Sequence, residues 1–192
     1  MSHEFEAKCV VRDLAEARER LAGIGATCVT PERLFRRSVF DYPDRRLDAK
    51  GGWVRVRDEG DRVTMSYKQA PKGSSVGDCF ETELVIDSYE RGVEFCKDLG
   101  RAQKSYQETK RESWTLDGVH FDIDTWPGIP TFIEVEASSE AIVRQYVEAL
   151  GCTWADARFG GVAVLYHQFL GIPEHEVNHI PEITFAHPPT AR

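Results

Sequence analysis

Apolar residues recur along this chain at two spacings, and the switch between them predicts where strands give way to helices. Alternation with a period of two runs through Glu4 to Val11, Phe35 to Phe40, Gly52 to Asp58, Arg62 to Gln69, a stretch ending at Ile86, Tyr106 to Leu116, Val119 to Thr125 and Phe132 to Glu136. Such runs place successive side chains on opposite faces of a β-strand. A helical spacing instead joins Leu14, Ala17, Leu21 and Ile24, then Val93, Cys96 and Leu99, then Ile142, Val143, Tyr146, Val147 and Leu150. Each helical segment opens on capping residues, at Asp13 to Glu16, Asp87 to Glu90 and Ser138-Ser139, and stops at Gly25, Gly100 or Gly151. Asp117-Gly118 and Glu59-Gly60-Asp61 read as hairpin turns, Asp41 to Asp44 as another turn and Ala70 to Asp78 as a loop. About eight strands with three helices make an α+β chain, and many antiparallel strands with few breaks favour a barrel or a strongly curved sheet. Residues 1–172 hold these elements; the proline- and histidine-rich residues 173–192 are expected to run over the surface as a tail.

The polar positions of the strands carry a second pattern. Arg55 and Arg57 share one face, opposite Val54 and Val56; Lys68 lies with Thr64 and Ser66, opposite Val63, Met65 and Tyr67. Asp122 and Asp124 oppose Phe121 and Ile123, and Glu134 and Glu136 oppose Ile133 and Val135. Glu4 with Glu6 and Glu81 with Glu83 repeat the acidic spacing. On a one-layer sheet such faces would simply meet water. The acidic and basic rows are complementary, however, and if the sheet closes they face one another across a lumen. Arginine and lysine there suit a polyanion such as a triphosphate. Carboxylates in the same space would repel it unless a hard divalent cation, Mg²⁺ or Mn²⁺, bridged them to phosphate.

Bulk composition narrows the setting. The chain has 192 residues, a size suited to one domain, with 41% hydrophobic and 29% charged residues. A formal charge of −8 argues against nucleic acid as partner. No run is long enough for a membrane span, and the opening Met-Ser-His-Glu-Phe-Glu lacks a signal pattern, so a cytoplasmic protein is expected. Cys9, Cys28, Cys79, Cys96 and Cys152 are odd in number and widely spaced, which reads as buried thiols rather than disulfides or a zinc site.

Taken in order, Glu4-x-Glu6-x-Lys8, Arg55-x-Arg57, Lys68, Glu81-x-Glu83, Arg111, Asp124 and Glu134-x-Glu136 resemble the CYTH superfamily, the triphosphate tunnel metalloenzymes. The resemblance runs from about Glu4 to Tyr166. It implies an eight-stranded antiparallel β-barrel tunnel with flanking helices, binding a small-molecule triphosphate together with Mg²⁺ or Mn²⁺. It further implies that Lys8, Arg55, Arg57, Lys68 and Arg111 grip phosphates and that Glu4, Glu6, Asp124, Glu134 and Glu136 hold metal, with Glu4, Glu6, Lys8 and Arg57 at the catalytic core. Glu81, Glu83 and Asp122 would serve a second metal or balance charge. One position departs from the pattern. Such proteins often carry a basic residue two before the arginine matched by Arg111, and this chain has Thr109 there, with Lys110 between. Lys110 is a phosphate-binding candidate only if alternation is broken; otherwise Arg36 or Arg37 supplies the charge, and alternation admits only one of them inward.

The resemblance covers tripolyphosphatases, thiamine triphosphatases and class IV adenylate cyclases. Hydrolysis of a triphosphate is the expected reaction, with cyclisation of ATP and binding without turnover as alternatives; homodimer formation stays open. Trp53, Trp114 and Trp126 could stack on an organic group but read first as wall packing. His175-Glu176-Val177-Asn178-His179 fits H-E-x-x-H, a zinc pattern on helices. Confined between Pro173 and Pro181, it is read as a coincidence, with His175, His179 and His187 on the surface.

Overall fold

The computed structural model describes residues 5–69 and 80–191; Glu4, Cys79 and the expected loop Ala70 to Asp78 lie outside them. Eight strands form one antiparallel sheet: β1 (Phe5–Val10), β2 (Thr27–Asp41), β3 (Gly52–Asp58), β4 (Val63–Gln69), β5 (Phe80–Ile86), β6 (Ala102–Leu116), β7 (Val119–Thr125) and β8 (Phe132–Ala137). Their order in space is β1-β8-β7-β6-β2-β3-β4-β5. Helices α1 (Leu14–Gly23), α2 (Tyr89–Asp98) and α3 (Glu140–Ala149) fall where the helical spacing places them. Each is capped at its start by a side-chain oxygen. Asp13 accepts from the Glu16 amide at 2.9 Å, Ser88 from Arg91 at 3.2 Å and Ser139 from Ile142 at 3.4 Å. The β6–β7 hairpin turns on Asp117 and Gly118, both with positive φ (50° and 79°), the conformation a two-residue turn of this hand requires.

Helices cover the outside of the sheet. Ala7, Cys9, Phe121, Ile123, Ile133 and Val135 form a core with Ala17 and Leu21 of α1 and Val143 and Val147 of α3. A smaller core sets Phe40 and Val56 against Tyr89 and Cys96 of α2. Each fully buried aliphatic or phenylalanine side chain stabilises the fold by about 1.5–3 kcal/mol, so the apolar faces of β1, β3, β7 and β8 are held outward against the helices. The charged faces turn inward. Distant strands approach one another across this face: Lys68 of β4 helps hold the Glu134 carboxyl of β8 low, though five interstrand steps separate β4 from β8. In a flat sheet those steps would span roughly 24 Å. The sheet is therefore wrapped around its charged face.

The wrapping stops short of a hydrogen-bonded barrel. Among the described residues β1 and β5 share no ladder, and the free edge of β1 pairs instead with the chain after α3, through Lys8 N to Arg158 O (2.8 Å) and Arg158 N to Lys8 O (3.0 Å). The expected eight-stranded antiparallel sheet with flanking helices is present; it differs from a barrel only in that, among the described residues, the edge of β1 pairs with the Arg158 backbone rather than with β5.

Four other expectations change. Helix α4 (Ala163–Leu170) was hidden because it is apolar nearly all round; Leu165 and Tyr166 are fully buried. The proline-rich segment does not simply lie on the surface. It forms the short helix α5 (Glu174–Val177) and strand β9 (Glu182–Ile183), which pairs parallel with β6 at Tyr106 and Gln107. Val177 and Ile183 join Trp126, Phe132 and Tyr166 in a third apolar cluster. Finally, Cys9 and Cys152 are paired as a disulfide, with Cα atoms 6.2 Å apart. Cys28 is exposed and Cys96 buried; the 143-residue separation hid the pairing. Leu99 also lies exposed rather than buried on α2.

Because Ile183 is fully buried, Ile183→Ala is expected to destabilise the protein by about 2–5 kcal/mol. Urea unfolding measures this; a change below about 0.5 kcal/mol, the range of surface substitutions, would return the segment to a surface tail.

Candidate functional site

The inward face begins with an ion network on β1, β6, β7 and β8. Lys8 Nζ lies 3.0 Å from Glu6 Oε1 and 3.0 Å from Glu134 Oε2, and donates to the Gly160 carbonyl at 2.6 Å. Burial works against the Lys8 charge, but Glu134 and Glu6 outweigh it and push its pKa up. Arg111 donates to both oxygens of Asp124 (2.8 and 2.5 Å), to Asp122 (2.7 Å) and to Glu134 (3.4 Å). Burial raises the Glu134 carboxyl, yet Lys8 and Arg111 together bring it down to about 2. Asp124 goes the other way. Its burial and the neighbouring carboxylates Glu134 and Asp122 raise it despite Arg111, since one guanidinium is divided among three acids.

A second network lines β3, β4 and β5. Arg55 Nη2 approaches Glu81 at 3.2 Å and Glu83 at 3.5 Å, Arg57 Nη2 approaches Glu59 at 2.5 Å, and Lys68 Nζ approaches Glu81 at 2.8 Å. Glu81 and Glu83 thus stand against cations. Burial, reinforced by Arg57, lowers Arg55 to about 10. Glu59, in the turn, is buried between Arg57 and Arg62. Nothing in a Glu-Gly-Asp turn signals that.

Between these networks lies a patch of unmet donors. Among the described residues Arg37 Nε, Arg55 Nε, Arg57 Nε and Thr64 Oγ1 are buried without a hydrogen-bond partner, and the buried Ser66 hydroxyl lies beside Glu81. The ladder makes them contiguous: Arg37 faces Arg57 and Arg57 faces Thr64, while Arg55 faces Ser66. A buried donor left unmet costs about 1–3 kcal/mol, so such a concentration in one wall points to an acceptor-rich ligand. The opposite wall, β7 and β8, presents Asp122, Asp124 and Glu134. The lumen therefore has a donor side and a carboxylate side.

Most candidate residues share this lumen, but not all. Lys110 faces outward, 3.7 Å from Glu32 and 5.5 Å from the centre of the Phe185 ring. Arg36 also faces out, bonded to Asp58 at 2.6 Å; Arg37 is the one turned in. Glu6 and Glu136 are directly paired across β1 and β8, while Glu4 lies outside the described residues. Trp114 is on the outer core and donates to Glu112 at 2.9 Å. Trp53 shares the face of Arg55 and Arg57. Of the H-E-x-x-H histidines, His179 bonds Asp48 at 2.9 Å and His175 is largely exposed.

The carboxylate side offers hard oxygen donors of the kind Mg²⁺ and Mn²⁺ prefer. Among the described residues no three His, Cys, Asp or Glu side chains converge as a complete cage.

The family model described as the CYTH domain matches residues 2–150. The chain belongs to the CYTH family. No curated protein matches it. Among solved structures, this CYTH chain is similar to a protein from Pyrococcus horikoshii (TM-score 0.68, 19% identity, covering 81% of this chain and 94% of that one). It is also similar to a provisionally named adenylate cyclase from Vibrio parahaemolyticus (TM-score 0.71, 15% identity, 89% and 99% covered). A third is an adenylyl cyclase candidate from Hippeastrum described as having dominant triphosphatase activity (TM-score 0.64, 16% identity, 91% and 99% covered). At such identities the likeness is one of CYTH fold.

Glu134 carries a pH consequence. Its pKa is depressed from 4.5 to about 2, so the stability it contributes is fully present above 4.5 and is lost as pH falls toward 2. Glu134→Gln is expected to flatten the acid limb of stability over that window, measured by urea unfolding at stepped pH. An unchanged acid limb would contradict the network.

Proposed function

We propose that this CYTH protein is a divalent-metal-dependent phosphohydrolase acting on a small triphosphate. The observation that carries the reading is the patch of unmet buried donors on β2, β3 and β4, set across the lumen from carboxylates. Bidentate guanidinium groups match phosphate oxygens, and lysine adds point charge. Arg55, Arg57, Lys68, Arg111 and Lys8 would hold the phosphate chain. Such cations stabilise the charge that grows on the leaving diphosphate, in a site that needs no reorganisation when the bond breaks.

Glu6, Asp124, Glu134 and Glu136, with Glu4, are the residues that would hold Mg²⁺ or Mn²⁺. The ion, when bound, neutralises phosphate charge and makes a nearby water more acidic. The chain's own carboxylates orient the attacking water by accepting its hydrogens, in line with the bond to be broken. Lys8 and Arg111 keep Glu134 ionised and ready as an acceptor. The Hippeastrum protein's described activity supports hydrolysis over cyclisation of ATP, the alternative in which the ribose hydroxyl replaces water. The same lumen could also bind without turnover.

A panel of tripolyphosphate, ATP and thiamine triphosphate, each with Mg²⁺ and with Mn²⁺, tests this. Phosphate release is expected, and Arg57→Ala should lower kcat/KM by roughly 100- to 1,000-fold, with Glu6→Gln also impaired. Pyrophosphate and cyclic AMP from ATP would establish cyclisation instead; binding without either product would establish a binding module. Variants that match the parent in binding and turnover would remove the lumen assignment.

A further inference from the structure

We infer that Arg37 is a phosphate-binding residue of this lumen, held ready by a ring and a hydroxyl rather than by a carboxylate. The inference rests on the triphosphate reading above. Every other lumen cation described there has an acidic partner within 4.0 Å; among the described residues Arg37 has none. Its guanidinium carbon sits 4.7 Å from the centre of the Trp126 ring, and Nη2 donates to Thr109 Oγ at 2.6 Å. Nε is buried with no partner.

The surroundings are hostile to its charge. Burial, then Arg55, Arg57 and Arg111, all push its pKa down, and Asp124 opposes them only in part. A buried cation crowded by three others and lacking an acid lowers the stability of the ligand-free protein. A polyanion in the lumen would remove that cost and engage Nε at once. Stacking and the Thr109 bond fix where Nε points without neutralising it, so the group is positioned but not satisfied.

The support comes from a distant part of the chain. Val10, Phe132 and Trp126 stand two residues from Lys8, Glu134 and Asp124, and all three pack in the cluster built with α4, α5 and β9. Trp126 meets Tyr166 edge-on at 6.3 Å, and the Tyr166 hydroxyl donates to the Pro127 carbonyl at 2.7 Å. The segment beyond residue 150, past the family match, thus braces one phosphate-gripping side chain. Thr109 leaves room for Arg37 from the neighbouring strand.

The test is Arg37→Gln, measured two ways with the full chain. Calorimetry with tripolyphosphate is expected to show affinity reduced roughly 10- to 100-fold, the loss of a charge-assisted hydrogen-bond donor. Thermal unfolding without ligand is expected to show Tm unchanged or raised, because an uncompensated cation is gone; a purely structural arginine would lower it. Arg37→Gln combined with Thr109→Lys should recover much of the affinity by restoring a cation at the adjacent lumen position. Affinity within twofold of the parent in Arg37→Gln, alongside a clear loss in Arg57→Ala, would overturn the inference and leave the triphosphate reading intact. So would an Arg37→Gln protein that fails to fold. If the parent itself binds no tripolyphosphate, the triphosphate reading fails and the inference with it.

Discussion

The structure turns on the sharing of Arg111. One guanidinium on β6 satisfies Asp122 and Asp124 on β7 and reaches Glu134 on β8, and Glu134 in turn ties Lys8 of β1. Four neighbouring strands are thereby cross-linked on their inner face by charge, where an apolar core would normally do the work. Such a network is expensive to bury, and an apolar replacement of equal volume would often be as stable or more so. Its retention makes sense if the interior must stay polar and wettable. The same charges that hold the wall together are those a bound anion and a cation would redistribute.

That arrangement depends on an inside-out division of labour. Ordinary sheets bury their apolar face and wet their polar one, and this sheet does so too, but curling makes the wetted face an interior. Helices α1, α2 and α3 take the apolar stripes of β1, β3, β7 and β8 on the convex side, while Val10, Trp126 and Phe132 pack with α4, α5 and β9. Much of the apolar burial is thus gained away from the middle of the lumen, which frees that stretch to carry unmet donors and crowded charge. Strand twist and the pleat's period of two are enough to keep the two sets apart.

Much of this was legible from alternation. The faces of β3, β4, β7 and β8 were readable because a pleat reverses direction at every residue, and the three capped helices because apolar spacing and capping agreed. What escaped did so for definable reasons. Whether Arg36 or Arg37 turned inward is a register question, settled by pairing with Asp58 and Arg57 across β2 and β3. The burial of Ile183 and the pairing of Cys9 with Cys152 are contacts between segments far apart in the chain, which local periodicity does not encode. Lys110 illustrates the reverse: sequence proximity to Arg111 suggested a role, and a one-residue offset carries it to the opposite face.

The edge of β1 has a mechanical meaning. Among the described residues the outer edge of β1 is held by the Arg158 backbone and not by β5, so no ladder runs between the first and last strands of the wall. A closed cylinder admits guests only through its ends and only if they are narrow. A curled sheet whose two edge strands are not joined to each other encloses its interior without a continuous hydrogen-bonded ring, so its inner width is set by side-chain charge and packing rather than by a fixed strand count and shear.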